Sequence, residues 1–325
     1  MTPLIRALSA SSGLSAADTL KLVKDAPDRY KIFDIDKRRG SEKRKIAQPA
    51  AEVKYLQRIV VEILLSRLPV HSAATAYIKG GSLRDNAAPH AGVGRPILKM
   101  DLKQFFPSIR SRDWESYCSD NEVFSDAQDA YLSSRLLFHR PPGGRVLRLA
   151  IGAPSSPMMS NILMYEFDKR ISAAVEEDEV TYTRYADDLT FSARRTGYLV
   201  DVRKRVYRVV RELNYPKLDI NRSKTVYATS RYHREVTGLI LSNDGRVTIG
   251  RDKKRVIYSM VHRYLKGGLN GAEIQHLAGI LAFVKSAEPD FLLNIDRKYE
   301  IGTVSDIAKT AGRIHVSDRQ SYWQS

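Results

Sequence analysis

The stretch Glu179-Val180-Thr181-Tyr182-Thr183-Arg184-Tyr185, Ala186-Asp187-Asp188, Leu189-Thr190-Phe191 decides how this chain folds. On either side of the short acidic break, apolar and β-branched residues alternate with polar ones, the two-residue period of a half-buried strand. A break that short between two strands is a β-hairpin, with the aspartates at its tip. An Asp pair in a turn is ordinary turn chemistry when taken alone. A second segment changes its weight. Pro96-Ile97-Leu98-Lys99-Met100-Asp101-Leu102 reads as a buried strand with one carboxylate, Asp101, at its end. Carboxylates meeting from different strands suit hard divalent cations, because magnesium favours oxygen ligands and is commonly held by one or two carboxylates plus substrate phosphates. Two such ions activate an attacking hydroxyl and stabilise a departing pyrophosphate oxygen. Polymerases and nucleases share that geometry, so the carboxylates alone do not choose between them.

Working outward, Tyr30 to Phe33 reads as a strand. The basic cluster Lys37, Arg38, Arg39, Lys43, Arg44 and Lys45, with Gly40 inside it, then reads as a turn into a second strand ending at Gln48-Pro49. Val53, Leu56, Val60 and Ile63 recur at helical spacing and predict an amphipathic helix over 51–68. Gly80-Gly81 through Gly94 reads as loop, 112–138 as helical, and Gly143-Gly144 as a hairpin. One long helix is expected from Ser156 to about Val175, with Ser156 as N-cap and Pro157 in the first turn. A helix over 199–213 and strands near 224–228 and 235–241 follow. The turn Asn243-Asp244-Gly245 marks a boundary, after which the chain is helical and basic.

The 325 residues suggest about two domains, and a composition 43% hydrophobic and 28% charged is that of a globular chain. No apolar run approaches the roughly 20 residues of a membrane span, and Met1 to Leu14 shows no secretory signal, so the expected location is cytoplasmic. A single cysteine, Cys118, excludes a disulfide framework. The 53 Lys and Arg against 37 Asp and Glu leave a net charge of +16, which favours a polyanionic partner, most often nucleic acid.

Five segments, in order, carry a resemblance. Tyr185-Ala186-Asp187-Asp188 resembles the signature turn in the palm of reverse transcriptases. The strand through Asp101 to Phe105-Phe106 resembles their first catalytic segment, and Gly152-Ala153-Pro154-Ser155-Ser156-Pro157 their helix-opening loop. Asn221-Arg222-Ser223-Lys224-Thr225 resembles the segment whose lysine lies near the triphosphate. Arg44-Lys45-Ile46-Ala47-Gln48-Pro49 resembles the fingers strand that brings an arginine there. Asn86-Ala87-Ala88-Pro89-His90 and Val236-Thr237-Gly238 are similar to two signatures of the retron branch. One departure stands out: Ala150-Ile151 precedes Gly152 where the family usually has Pro-Gln, which bears on nucleotide selection.

The resemblance implies an α+β right-hand polymerase: an N-terminal helical segment (1–28), fingers (29–98), a palm with an antiparallel sheet (99–245, with part of the fingers near 112–150) and a basic helical thumb (246–325). It implies two Mg2+ ions on Asp101, Asp187, Asp188 and the Leu102 carbonyl. Arg44, Lys45, Gly152 and Lys224 would serve the nucleotide, and Phe106 would exclude a 2′-hydroxyl. Asn86, His90, Arg251, Lys253, Lys254 and Arg255 are the expected RNA contacts. The implied activity copies a structured noncoding RNA (msr-msd) into branched RNA-linked DNA (msDNA) from dNTPs, primed at a guanosine 2′-hydroxyl, in antiphage defence with a separate effector protein. The alternatives are an intron-derived or abortive-infection reverse transcriptase, and a scaffold binding RNA and effector.

Overall fold

The computed structural model describes residues 1–36, 43–195 and 197–322; Lys37, Arg38, Arg39 and Gly40 of the expected basic turn lie outside them. In chain order the helices are α1 Pro3–Ser12, α2 Ala16–Asp25, α3 Ala51–Ile63, α4 Leu83–Ala87, α5 Phe105–Ser108, α6 Ser111–Asp120, α7 Ala127–Leu137, α8 Ser156–Leu163, α9 Tyr165–Glu176, α10 Tyr198–Glu212, α11 Arg251–Leu265, α12 Gly271–Ala287, α13 Pro289–Lys298 and α14 Thr303–Tyr322. The strands are β1 Tyr30–Asp36, β2 Lys43–Pro49, β3 Ile97–Asp101, β4 Thr181–Tyr185, β5 Asp188–Ser192, β6 Val226–Ala228, β7 Glu235–Val236, β8 Leu239–Leu241 and β9 Val247–Thr248.

The chain divides into two compact units. The first comprises Met1–Lys79, Leu98–Ala193 and Gly197–Tyr227; the second comprises Gly80–Ile97, Arg194–Thr196 and Ala228–Ser325. Residues 80–97 and 228–245 thus group with the C-terminal helices.

The first unit is built around a four-stranded sheet in the order β4-β5-β3-β6. Its strands bury Leu98, Met100, Leu189 and Phe191 in the core of that unit. β4 and β5 pair antiparallel, with Tyr182 opposite Phe191 and their rings stacked 4.9 Å apart. Such cross-strand aromatic pairs fix hairpin register. β1 and β2 form a separate antiparallel ribbon, longer than the sequence suggested.

Helix α3 ends at Ile63 and continues as a 3-10 turn, Leu65–Arg67, within the expected span. The helix expected over 156–175 is two helices, because the backbone at Met164 takes φ −86°, ψ 0° and interrupts the ladder between α8 and α9. The N-cap is Ser155, one residue before the expected Ser156, and its side chain makes no capping bond.

In the second unit, β7-β8-β9 packs with α4 and α11 to α14 around a core that includes Val236, Leu239, Ile257, Val261, Leu277, Leu281 and Phe291. Two expectations change here. The strand expected over 235–241 is a hairpin that turns at Thr237-Gly238, with φ 47° and 84°; positive φ at both central residues is the tight turn that matches strand twist. The loop expected over 80–94 contains α4, opened by a capping box between Ser82 and Asp85, and a 3-10 turn, Ala88–His90. No helix among the described residues is long and apolar enough to cross a membrane.

Candidate active site

Strand order brings the three carboxylates together. With β3 between β5 and β6, the Leu102 N–H donates to the Asp187 carbonyl at 2.9 Å, so the end of β3 is tied to the hairpin turn. On its other edge, Asn221 N–H donates to the Asp101 carbonyl (2.8 Å) and Lys103 N–H to the Asp219 carbonyl (2.8 Å). These bonds flank the Leu102–Ile220 bridge, so the Leu102 carbonyl is directed, with its own N–H, toward the hairpin.

The carboxylates feel one another. Burial, then Asp188 and Asp101, push the Asp187 carboxyl up to about 6. Burial also raises Asp188, with Asp101 adding to the rise and Lys99 opposing it. Lys224 Nζ stands 2.9 Å from Asp101 Oδ2, and this bond raises the lysine further. The expected triphosphate lysine thus neutralises a carboxylate here. Among the described residues no group of three or more Asp, Glu, His or Cys side chains is arranged to hold a metal ion. The donor set of carboxylates and a carbonyl is nevertheless the hard-oxygen kind that magnesium takes with substrate phosphates completing its shell, and the mutual repulsion that raises Asp187 is what a cation would relieve.

Beneath the turn lies a buried network that the sequence reading did not single out. Arg184 has no exposed side chain. Its guanidinium meets Asp168 with Nε–Oδ1 at 2.8 Å and Nη2–Oδ2 at 2.6 Å, and Tyr182 donates its hydroxyl to the same carboxylate at 2.7 Å. Nη1 donates to Asn161 Oδ1 and to the Ala186 carbonyl, both at 3.2 Å. Ala186 occupies the turn at φ 56°, so the guanidinium grips a backbone kept in a conformation that costs free energy for a non-glycine residue. The pairing is long-range between α9 and β4, and only the neighbouring Arg184-Tyr185 sequence hinted at it.

The other nucleotide-side expectations fall around this centre. Gln104 at φ 48° opens α5 and sets Phe105 into the core while Phe106 stays half-buried. Gly152, at φ 123°, has room for no side chain: a Cβ would lie 3.1 Å from the Ala47 carbonyl oxygen and from Ile46 Cγ2. Its loop is stitched to β2 by Ala47 N–H donating to the Ile151 carbonyl at 2.9 Å. Ala150 packs with Ala47 and Ala153. On β2, Arg44 and Lys45 are exposed, and Lys45 is 3.2 Å from Asp34 across the ribbon.

The expected RNA contacts differ in exposure. Asn86 and His90 are buried. Asn86 Nδ2 reaches Thr237 Oγ1 at 3.5 Å, and Lys253 Nζ donates to the Gly238 carbonyl at 2.7 Å. The two signatures, 151 positions apart, converge on one turn. Lys254, partly exposed, lies 2.5 Å from Glu288 and 5.1 Å from the centre of the Phe291 ring. Arg251 and Arg255 stay exposed, with Arg255 paired to Asp252 at 2.5 Å.

Residues 35–254 match the family described as Reverse transcriptase (RNA-dependent DNA polymerase), and with the carboxylate-bearing hairpin this defines an RNA-directed DNA polymerase. The Escherichia coli retron Ec83 reverse transcriptase is 36% identical over 89% of this chain and 93% of its own length. The E. coli retron Ec86 enzyme is 30% identical over 90% and 89%, and the Myxococcus xanthus retron Mx65 enzyme is 32% identical over 87% and 67%. The chain belongs to the retron reverse transcriptases. A solved Candida albicans telomerase, in complex with a telomeric RNA fragment, aligns at 13% identity and TM-score 0.49 over 89% of this chain and 56% of that one, a likeness too weak to add to this.

Proposed function

We propose that this enzyme copies a structured noncoding RNA, an msr-msd transcript, into branched RNA-linked single-stranded DNA (msDNA), priming from the 2′-hydroxyl of an internal guanosine. The observation that carries the reading is the backbone bond from Leu102 to Asp187, which ties the end of β3 bearing Asp101 to the turn bearing Asp187 and Asp188, in a chain of the retron family. In each addition the primer hydroxyl oxygen bonds to the α-phosphorus of a dNTP, and the bond to pyrophosphate breaks. Asp101, Asp187, Asp188 and the Leu102 carbonyl would hold two Mg2+ ions, which when bound supply activation of the hydroxyl and charge compensation at the leaving oxygen. Arg44 and Lys45, exposed on β2, and Lys224 offset triphosphate charge, a preorganised electrostatic contribution. Lys224 also bonds Asp101 at 2.9 Å. Gly152 lets its loop approach β2 closely, and Phe106 lies under the sugar and excludes a 2′-hydroxyl.

The RNA template is the polyanion that the net charge of +16 favours. Action in the cytoplasm, alongside a separate effector protein in antiphage defence, completes the reading. Asp187→Asn combined with Asp188→Asn is expected to abolish DNA synthesis while RNA binding, measured by filter retention, stays within about twofold. Retained synthesis would remove the carboxylates from the mechanism. Function preserved in cells without synthesis would favour the RNA and effector scaffold.

A further inference from the structure

Tyr77 stands at the site with no role assigned to it so far. Its backbone sits at φ 63°, a left-handed conformation that a bulky residue keeps only where its surroundings hold it. The surroundings here are explicit. Thr75 donates its N–H (2.9 Å) and its hydroxyl (3.1 Å) to the Arg184 carbonyl. Asn161, fully buried, donates from Nδ2 to the Ala76 carbonyl at 2.8 Å and accepts at Oδ1 from the same guanidinium that grips Ala186. The segment presenting Tyr77 and the turn presenting Asp187 therefore share one anchor.

The side chain so presented is 43% exposed, and its ring centroid lies 6.3 Å from that of Phe106. Phe105, buried, flanks Phe106 at 5.5 Å. Burial raises the Tyr77 phenol above its ordinary value, Asp187 and Tyr185 raise it further, and Arg44 opposes them.

We propose that Tyr77 is a specificity-determining residue that buttresses Phe106, so that the two rings form one wall against the sugar of the incoming nucleotide. The proposal rests on the nucleotide-site reading above. A single ring rejects a 2′-hydroxyl only if it cannot tip aside; with the Phe105 ring as one neighbour and Tyr77 as another, Phe106 is confined. Truncating Tyr77 opens space beside Phe106 and gives the extra hydroxyl room.

The test is single-nucleotide extension of a primed RNA template by the full chain, giving kcat/KM for a dNTP and for the matching ribonucleotide. The ratio of the two is independent of the fraction of enzyme that is folded. Tyr77→Ala is expected to lower the ratio about tenfold or more, the scale on which a lost pocket wall acts. Tyr77→Leu, which restores bulk but no ring, is expected to fall between, and Tyr77→Phe to stay near the parent value. Phe106→Ala separates the two ideas. A ratio lost in Phe106→Ala but unchanged in both Tyr77→Ala and Tyr77→Leu overturns the buttress and leaves the nucleotide site standing. A ratio unchanged in Phe106→Ala and in both Tyr77 variants overturns both.

Discussion

Burial holds the His90 imidazole neutral: desolvation, aided by Arg95, pushes it down from 6.5 to about 3. The unfolded chain takes up that proton near 6.5 and the folded chain does not, so the contribution to stability is intact above that pH. It is lost as pH falls, by up to about 1.4 kcal/mol per pH unit. His90→Gln removes the linkage. Thermal melts of the parent chain between pH 7.5 and 5 are expected to show a steeper acid loss than the variant; equal slopes would contradict the assignment. At the β4–β5 turn the sign is reversed. Burial, with Asp188 and Asp101, raises Asp187 from 3.8 to about 6, so stability falls as pH rises through that range and the cost is complete above it. Of these two residues, Asp187 was the easier to place from the sequence. Its partner strand and turn were legible there, whereas the Asn86 and His90 motif reads the same whether its side chains face RNA or the interior.

Among elements, the β4–β5 hairpin depends on α9 through Arg184 and Asp168, both without exposed side-chain surface. Removing one member of a buried pair leaves an uncompensated charge and costs about 3–5 kcal/mol, while replacing both with apolar groups is far milder. Asp168→Asn is therefore expected to lower unfolding stability in urea by that amount, and Asp168→Leu with Arg184→Met to recover most of it. A loss below about 1 kcal/mol for Asp168→Asn would show that the pair does not hold the hairpin. The hairpin itself was plain from its alternation, and the basic ribbon and α10 from their periods. The Arg184 network was not, because the helix and strand that meet there lie 16 positions apart and only the folded register reveals which acid faces which base. The turn at Thr237-Gly238 was missed because Val236 to Leu241 reads as one apolar run; Gly238 in its middle was the available signal. The Ser82–Asp85 capping box was likewise visible as spacing, yet the surrounding glycines dominated the reading.

For the whole molecule, composition supplied the polyanion and the motif order supplied the chemistry, but neither said which cations are spent internally. Lys254 pairs with Glu288 and lies over Phe291, whereas Lys253, bonded to the Gly238 carbonyl, stays on the surface with Arg251 and Arg255. Family membership and the carboxylate turn together make the central claim one about a product: DNA joined to RNA through a 2′-linkage. The direct measurement is to express the enzyme with its native flanking DNA, extract small nucleic acids, and resolve them on a denaturing gel before and after RNase and a debranching enzyme. A discrete DNA band whose mobility shifts under both treatments, and which disappears in Asp187→Asn, is the predicted result. No such band from the native locus, with the purified enzyme still extending an ordinary primed RNA template, would contradict it.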